Sequence, residues 1–185
     1  MSLMETILAV GLVMSVIIGS LTIGIYTTRI GRTSQNKIIA MNLAREGIEV
    51  VRNIRDTNWL KESEGIINEE PDPDRIYQWN DGFSINGNYK IDQYVQTSPQ
   101  EKWFQKLKDA GTCGNDNTCW LYLDSDYGFY SLDSDEGNNT GFSRIIEITN
   151  IDSNTIQVVS RINWQENGKD KEFKLEEKLT DWRDD

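Results

Sequence analysis

The amino-acid sequence predicts an α+β fold in which one long N-terminal α-helix packs on an antiparallel β-sheet. Three observations carry this prediction. Residues 6–28 contain no charged side chain; from Ile38 to Ile54 apolar residues recur at spacings of three and four; and from Ile156 to Leu179 they alternate with polar ones around an Asn-Gly dipeptide. The first two are signatures of one continuous helix and the third of a hairpin. At 185 residues the chain has room for one domain of ordinary size and an appendage. It divides into an apolar helix over 1–28, an amphipathic continuation over 29–60 and a β-rich head over 61–185.

The run from Thr6 to Thr28 includes Ile7-Leu8-Ala9-Val10-Gly11-Leu12-Val13-Met14 and Val16-Ile17-Ile18. As a helix, 23 residues reach about 35 Å, enough for a hydrocarbon core of about 30 Å. A cleaved signal peptide needs a basic start and a small-residue cleavage site after a shorter apolar run, and this sequence has neither. Beyond it, Ile38, Met41, Ala44, Ile48 and Val51 form a stripe that Ile39, Leu43, Val50 and Ile54 widen. Arg45 with Glu49 and Arg52 with Asp56 are spaced as i,i+4 pairs on the opposite face. The helix is expected to end between Asn58 and Leu60, at a length of about 87 Å. Such a rod outruns a small domain, so its first half needs cover from lipid or from other copies.

After the polar stretch with Pro71 and Pro73, Phe83 to Val95 reads as a hairpin around Asn86-Gly87. Ser98-Pro99-Gln100-Glu101 has the N-cap, N1 proline and N3 glutamate of a helix start, with Gly111 as its stop. Tyr122 to Asp124 and Tyr127 to Ser131 are short strand candidates. Arg144 to Thr149, then Ile156 to Trp164, then Phe173 to Leu179 after the Asn167-Gly168 turn predict a three-stranded antiparallel meander. One face of that meander is apolar and needs a cover, which the outer half of the long helix supplies.

Charge is uneven along the chain. Residues 1–60 carry six Lys/Arg against four Asp/Glu, and residues 61–185 carry thirteen against twenty-six. An acidic head of this kind argues against nucleic-acid binding through phosphate contacts, which needs clustered cations. The chain has no histidine, which removes the commonest general base and a favoured zinc ligand, so the expectation is no enzyme and no resident cofactor. Asp124 and Asp126, with Asp133 and Asp135, are weak calcium candidates whose loops lack the EF-hand spacing, and a solvated acidic loop accounts for them better. Asn138-Asn139-Thr140 has the form of a glycosylation acceptor. Trp59, Trp164 and Trp182 fall in or beside core-facing segments, where packing explains them.

Cys113 and Cys119 have no other cysteine or histidine with which to complete a metal site, so a disulfide is favoured over two free thiols. A disulfide requires an oxidising compartment. Arg29, Arg32 and Lys37, just after the apolar run, would hold the head in the cytoplasm by the positive-inside rule. The conflict disappears if a basic leader once preceded Met1 and was removed. Glu5 is a second anomaly, a carboxylate at the edge of an apolar helix with no cation in the next twenty-three residues. Its nearest partner is an α-amino group, its own chain's or a neighbour's. A carboxylate favouring the first helical turn is the simpler alternative.

Met1-Ser2-Leu3-Met4-Glu5 followed by an apolar helix resembles the mature N-terminus of a type IV pilin. Ala40-Met41-Asn42-Leu43-Ala44-Arg45-Glu46-Gly47-Ile48-Glu49 is similar to the Ala-x-x-Leu-Ala-x-x-Gly-Ile-Glu segment of pilins of the PilV-like group. Together these cover about the first sixty residues. Residue 1 is Met where Phe is usual, and residue 22 is Thr where many pilins have Pro.

The resemblance implies a leader peptidase that exposes and methylates the amine of Met1, and a Glu5 that meets the amine of an adjacent subunit during assembly. It implies a helical filament of identical subunits; the apolar surface of the helix is itself expected to supply the cohesion, with side chains such as Leu8, Leu12 and Ile17 buried between copies. Before assembly such a subunit sits in the cytoplasmic membrane, handled by prepilin peptidase and the pilus assembly machinery; afterwards it is an extracellular fibre serving adhesion, twitching motility or DNA uptake. Pilin filaments unwind locally in the region that here contains Ser15, Gly19, Ser20, Thr22 and Gly24; close helix packing by small residues is the alternative use of those positions. Two other readings share the physics: a minor pseudopilin of a secretion or uptake machine, and a monomeric anchored surface domain with a binding role.

Overall fold

The computed structural model describes residues 2–68, 75–76, 78–83, 85–94, 104–109, 119–124, 128, 130–132 and 137–181. It is α+β, with one long N-terminal helix and an antiparallel sheet. The helix, α1, spans Leu3–Ser63. It runs three residues past the expected end and stops in a Schellman arrangement. Ile66 N donates to Lys61 O (2.9 Å) and Gly65 N to Glu62 O (3.1 Å), with Gly65 at φ +67°. Only glycine takes that left-handed turn without strain, and two orphan carbonyls of the last turn are satisfied by it.

Among the described residues nine strands follow: β1 (Ile67–Asn68), β2 (Arg75–Ile76), β3 (Gly87–Tyr94), β4 (Phe104–Asp109), β5 (Trp120–Asp124), β6 (Tyr130–Ser131), β7 (Gly137–Asn150), β8 (Thr155–Glu166) and β9 (Lys169–Thr180). β1 and β2 pair by themselves, and the other seven form one antiparallel sheet. β7 is its organising strand. One edge of β7 pairs with β8 along Phe142 to Asn150, and β8 pairs with β9 throughout, which is the predicted meander. The other edge of β7 is shared: β5 takes its first half up to Ser143 and β3 takes Ile146 to Ile148. β4 flanks β3 and β6 flanks β5.

Contacts divide the chain into two compact units, Met1–Ile39 and Ala40–Asp185. In the second, the Ala40–Ser63 part of α1 covers the core face of the sheet. Ile48, Val50, Val51 and Trp59 of the helix pack with Ile146 and Ile148 of β7, Ile156 and Val158 of β8, and Leu179 of β9. Trp79, Phe83 and Ile91 complete the cluster, with the Trp79 and Phe83 rings edge to face at 6.1 Å. Every second residue of β8 from Ile156 to Trp164 is buried, as the alternation predicts.

Some expectations are corrected. No hairpin forms around Asn86-Gly87. Gly87 opens β3, which pairs with β4 and β7, and Asn86 Oδ1 instead accepts a hydrogen bond from Asn150 N (2.6 Å). The helix expected from Ser98 to Gly111 is replaced over Phe104–Asp109 by β4, with Leu107 opposite Ile91 and packed on the core; the capping residues 98–101 lie outside the described residues. A cap contributes about 1 kcal/mol, less than the ladder bonds and apolar contact that β3 offers. Gly137-Asn138-Asn139, just after the acidic Asp133 and Asp135, begin β7 against β5. Arg45 forms no ion pair among the described residues. Glu49 pairs with Arg52, Arg52 reaches Glu177 of β9, and Asp56 pairs with Arg55. Arg52 thus takes one carboxylate from its own helix, at i−3 rather than i+4, and a second from β9.

Candidate functional site

The candidate site is the first unit, the exposed length of α1. Ser2-x-x-Glu5 has the spacing of a capping box, but among the described residues the bond between the two is a backbone one. Ser2 O accepts from Glu5 N (2.9 Å) and Thr6 N (3.3 Å) and so closes the first turn. Glu5 is exposed, and its carboxylate has no hydrogen bond or ion pair among the described residues.

From there to Thr28 the helix surface is apolar on every side. Leu8 and Leu12 are both 67% exposed and Ile17 is 51% exposed, while Val10, Val13, Val16, Leu21 and Ile25 cover the remaining directions. The helix is long and apolar enough to cross a membrane, and none of its most apolar stretch is buried within the chain. A soluble core helix of this composition would be covered by its own protein.

The hydroxyl groups in this stretch are internally satisfied. Thr6 donates to Leu3 O (2.9 Å), Ser15 to Leu12 O (2.8 Å), Ser20 to Val16 O (2.9 Å), Thr22 to Ile18 O (2.9 Å), Thr27 to Ile23 O (2.9 Å) and Thr28 to Gly24 O (3.0 Å). In water such back-bonding gains little, but in hydrocarbon an unbonded hydroxyl costs several kcal/mol, about 2–7 by reference state. Residues 15–24 are helical throughout. A Cβ added at Gly11, Gly19 or Gly24 would meet no atom within 4 Å, so within this chain no contact requires glycine there. Arg29, Arg32 and Lys37 end the apolar length; all three are exposed and none forms an ion pair among the described residues.

The other candidates lie on the second unit and do not converge. Cys119 is disulfide-bonded and its carbonyl accepts from Arg144 N (3.3 Å); Cys113 lies outside the described residues. Asp124 is buried at the end of β5, while Asp126, Asp133 and Asp135 lie outside the described residues. Among the described residues no cluster of His, Cys, Asp or Glu is arranged to hold a metal. In the glycosylation-type triplet, Asn138 is exposed on β7 and the Thr140 hydroxyl donates to Leu121 O (2.6 Å). Trp59 and Trp164 are buried, as packing requires, and Trp182 lies outside the described residues.

Two features of the helix–sheet contact were not anticipated from sequence. Arg144 of β7 has a side chain only 2% exposed, and its Nη1 donates to Glu46 (2.9 Å) and to Leu43 O (3.3 Å) of α1. Gly47 lies so close to the sheet that a Cβ there would stand 2.5 Å from Ser160 Oγ. The usable signal for Arg144 was its place in the core-facing alternation Phe142, Arg144, Ile146, Ile148. Farther along, Arg52 donates to both carboxylate oxygens of Glu177 (2.6 and 2.8 Å), and that bond raises the guanidinium pKa above its ordinary value against a smaller opposing effect of burial. Compared with protein-family models, curated proteins and solved structures, the chain matches none.

Proposed function

We propose that this chain is a structural subunit of a type IV pilus-like filament, non-enzymatic, held in the cytoplasmic membrane by α1 before assembly and polymerising through that helix into an extracellular fibre. The observation that carries the reading is the Leu3–Thr28 length of α1, apolar on all sides, uncovered by its own chain and with its hydroxyls bonded to its own backbone. Such a surface fits lipid and the like surfaces of other copies. In an anchor Glu5 would serve only the dipole of the first helical turn, whereas in an assembling helix it also meets the amine of a neighbour. An unpaired charge left in an apolar bundle costs several kcal/mol, so a subunit lacking that match is disfavoured at entry.

The test is assembly by the full chain. Sheared cells expressing it are expected to release fibres that pellet and are visible by electron microscopy, and Glu5→Ala is expected to abolish or slow their formation while the head keeps its circular dichroism spectrum. Glu5→Ala subunits that polymerise as fast as the unaltered chain would overturn the role of Glu5. A chain that stays monomeric in the membrane under all conditions would favour the anchored surface-domain reading.

A further inference from the structure

We infer that Arg29, Arg32 and Lys37 form a cationic collar that docks the acidic head of a second copy of this chain. The inference rests on the filament reading and adds to it a second, electrostatic contact. At 100° per residue the three side chains fall within about 140° of the helix circumference, and they span about 12 Å along it, so they present one patch. All three are exposed and without an ion pair among the described residues, whereas farther along the same helix Arg52 and Arg55 are paired with carboxylates.

The partner is identified by charge. The first unit holds these three cations against Glu5 alone, leaving sixteen Lys/Arg and twenty-nine Asp/Glu on Ala40–Asp185. Heads so acidic repel one another when stacked, and within a Debye length of about 10 Å a collar of opposite sign is what turns that repulsion into attraction. Topology adds a second argument. Cations next to a span resist transfer of the flanking domain across the membrane, and the disulfide at Cys119 belongs to an oxidising compartment, on the far side. Cations that oppose export yet sit beside the exported head have their use there, after export. The competing occupant, anionic lipid headgroups, would engage the same collar before assembly.

The full-length chain, reconstituted from detergent and scored for pelletable fibres, separates these readings. R29Q/R32Q/K37Q is compared with K169Q/K171Q/K178Q, which changes the net charge equally at exposed positions of β9. The collar variant is expected to form fibres about tenfold less well than the unaltered chain, and the β9 variant to stay within about twofold of it. Equal losses in both variants would reduce the effect to net charge and overturn the inference, as would no loss in either. The inference also falls if the collar variant assembles normally but loses binding to vesicles of anionic lipid while neutral vesicles are unaffected. If the unaltered chain forms no fibres, the filament reading fails first; fibres that ignore the collar sink this inference alone.

Discussion

Individual residues set how closely α1 lies on the sheet. At Gly47 an added methyl would stand 2.5 Å from Ser160 Oγ and 2.6 Å from Ile146 Cδ1, both on fully buried side chains of the strands beneath. Neither neighbour is a flexible surface chain, so helix and sheet would have to part. Gly47→Ala is therefore expected to lower head stability by about 1–3 kcal/mol despite the better helix propensity of alanine, read as a shift of the urea midpoint. The Arg144–Glu46 pair makes the opposite kind of demand. Removing Glu46 leaves a buried guanidinium with Leu43 O as its one acceptor among the described residues, so Glu46→Ala is expected to cost about 3 kcal/mol. Arg144→Met removes the charge and keeps the bulk, and its cost is expected to be smaller. A denaturation series in which Arg144→Met is the worse of the two would show that the pair stabilises outright. The Arg52–Glu177 bridge is about a third exposed to water and contributes modestly. Because its guanidinium pKa is raised, the stabilisation it supplies is fully present below the unfolded-state value and is lost only as pH rises past the folded one, in strong alkali.

At the scale of elements, what was legible in the sequence was whatever is decided locally or by period. The β8–β9 hairpin is an example: Asn167 at φ +52° and Gly168 at φ +70° adopt the left-handed pair that a two-residue turn needs, and twelve registered pairs follow from it. Gly168→Val should strain that turn by about 1–2 kcal/mol and lower the melting temperature, while Gly168→Asn should be milder; equal effects would mean that the turn does not hold the register. The same dipeptide chemistry misled at Asn86-Gly87, because β3 finds its partners in β4 and in the distant β7, and sequence distance hides such pairing. The capping signals before Phe104 misled in the same way: they are weak, local and indifferent to the apolar strand waiting across the sheet at Ile91. For the candidate site the apolar period was plain in the sequence. The Arg144–Glu46 pair was not, since ninety-eight residues separate the two side chains.

At the scale of the whole molecule, the two units call for different surroundings. The head, Ala40–Asp185, closes its own core: α1 covers the sheet through Ile48 and Val51, and nothing in that cluster comes from residues before Ala40. The first unit has no such cover within the chain, and Leu8, Leu12 and Ile17 each gain about 1.5–3 kcal/mol by leaving water. Summed along a fibre, that burial outweighs the modest repulsion between acidic heads, which salt screens further. Removing residues 1–28 should therefore abolish polymerisation without unfolding the head. A chain beginning at Arg29 is expected to be soluble, to form no pelletable fibres at any salt concentration, and to keep the β-sheet and helix signals of its circular dichroism spectrum. If that shortened chain assembled into fibres on its own, the cohesive surface would lie on the head, and the apolar helix would be an anchor only. If it were monomeric but unfolded, the Ala40–Ser63 length of α1 would need the preceding turns to hold its place on the sheet, which a head core built without any residue before Ala40 argues against.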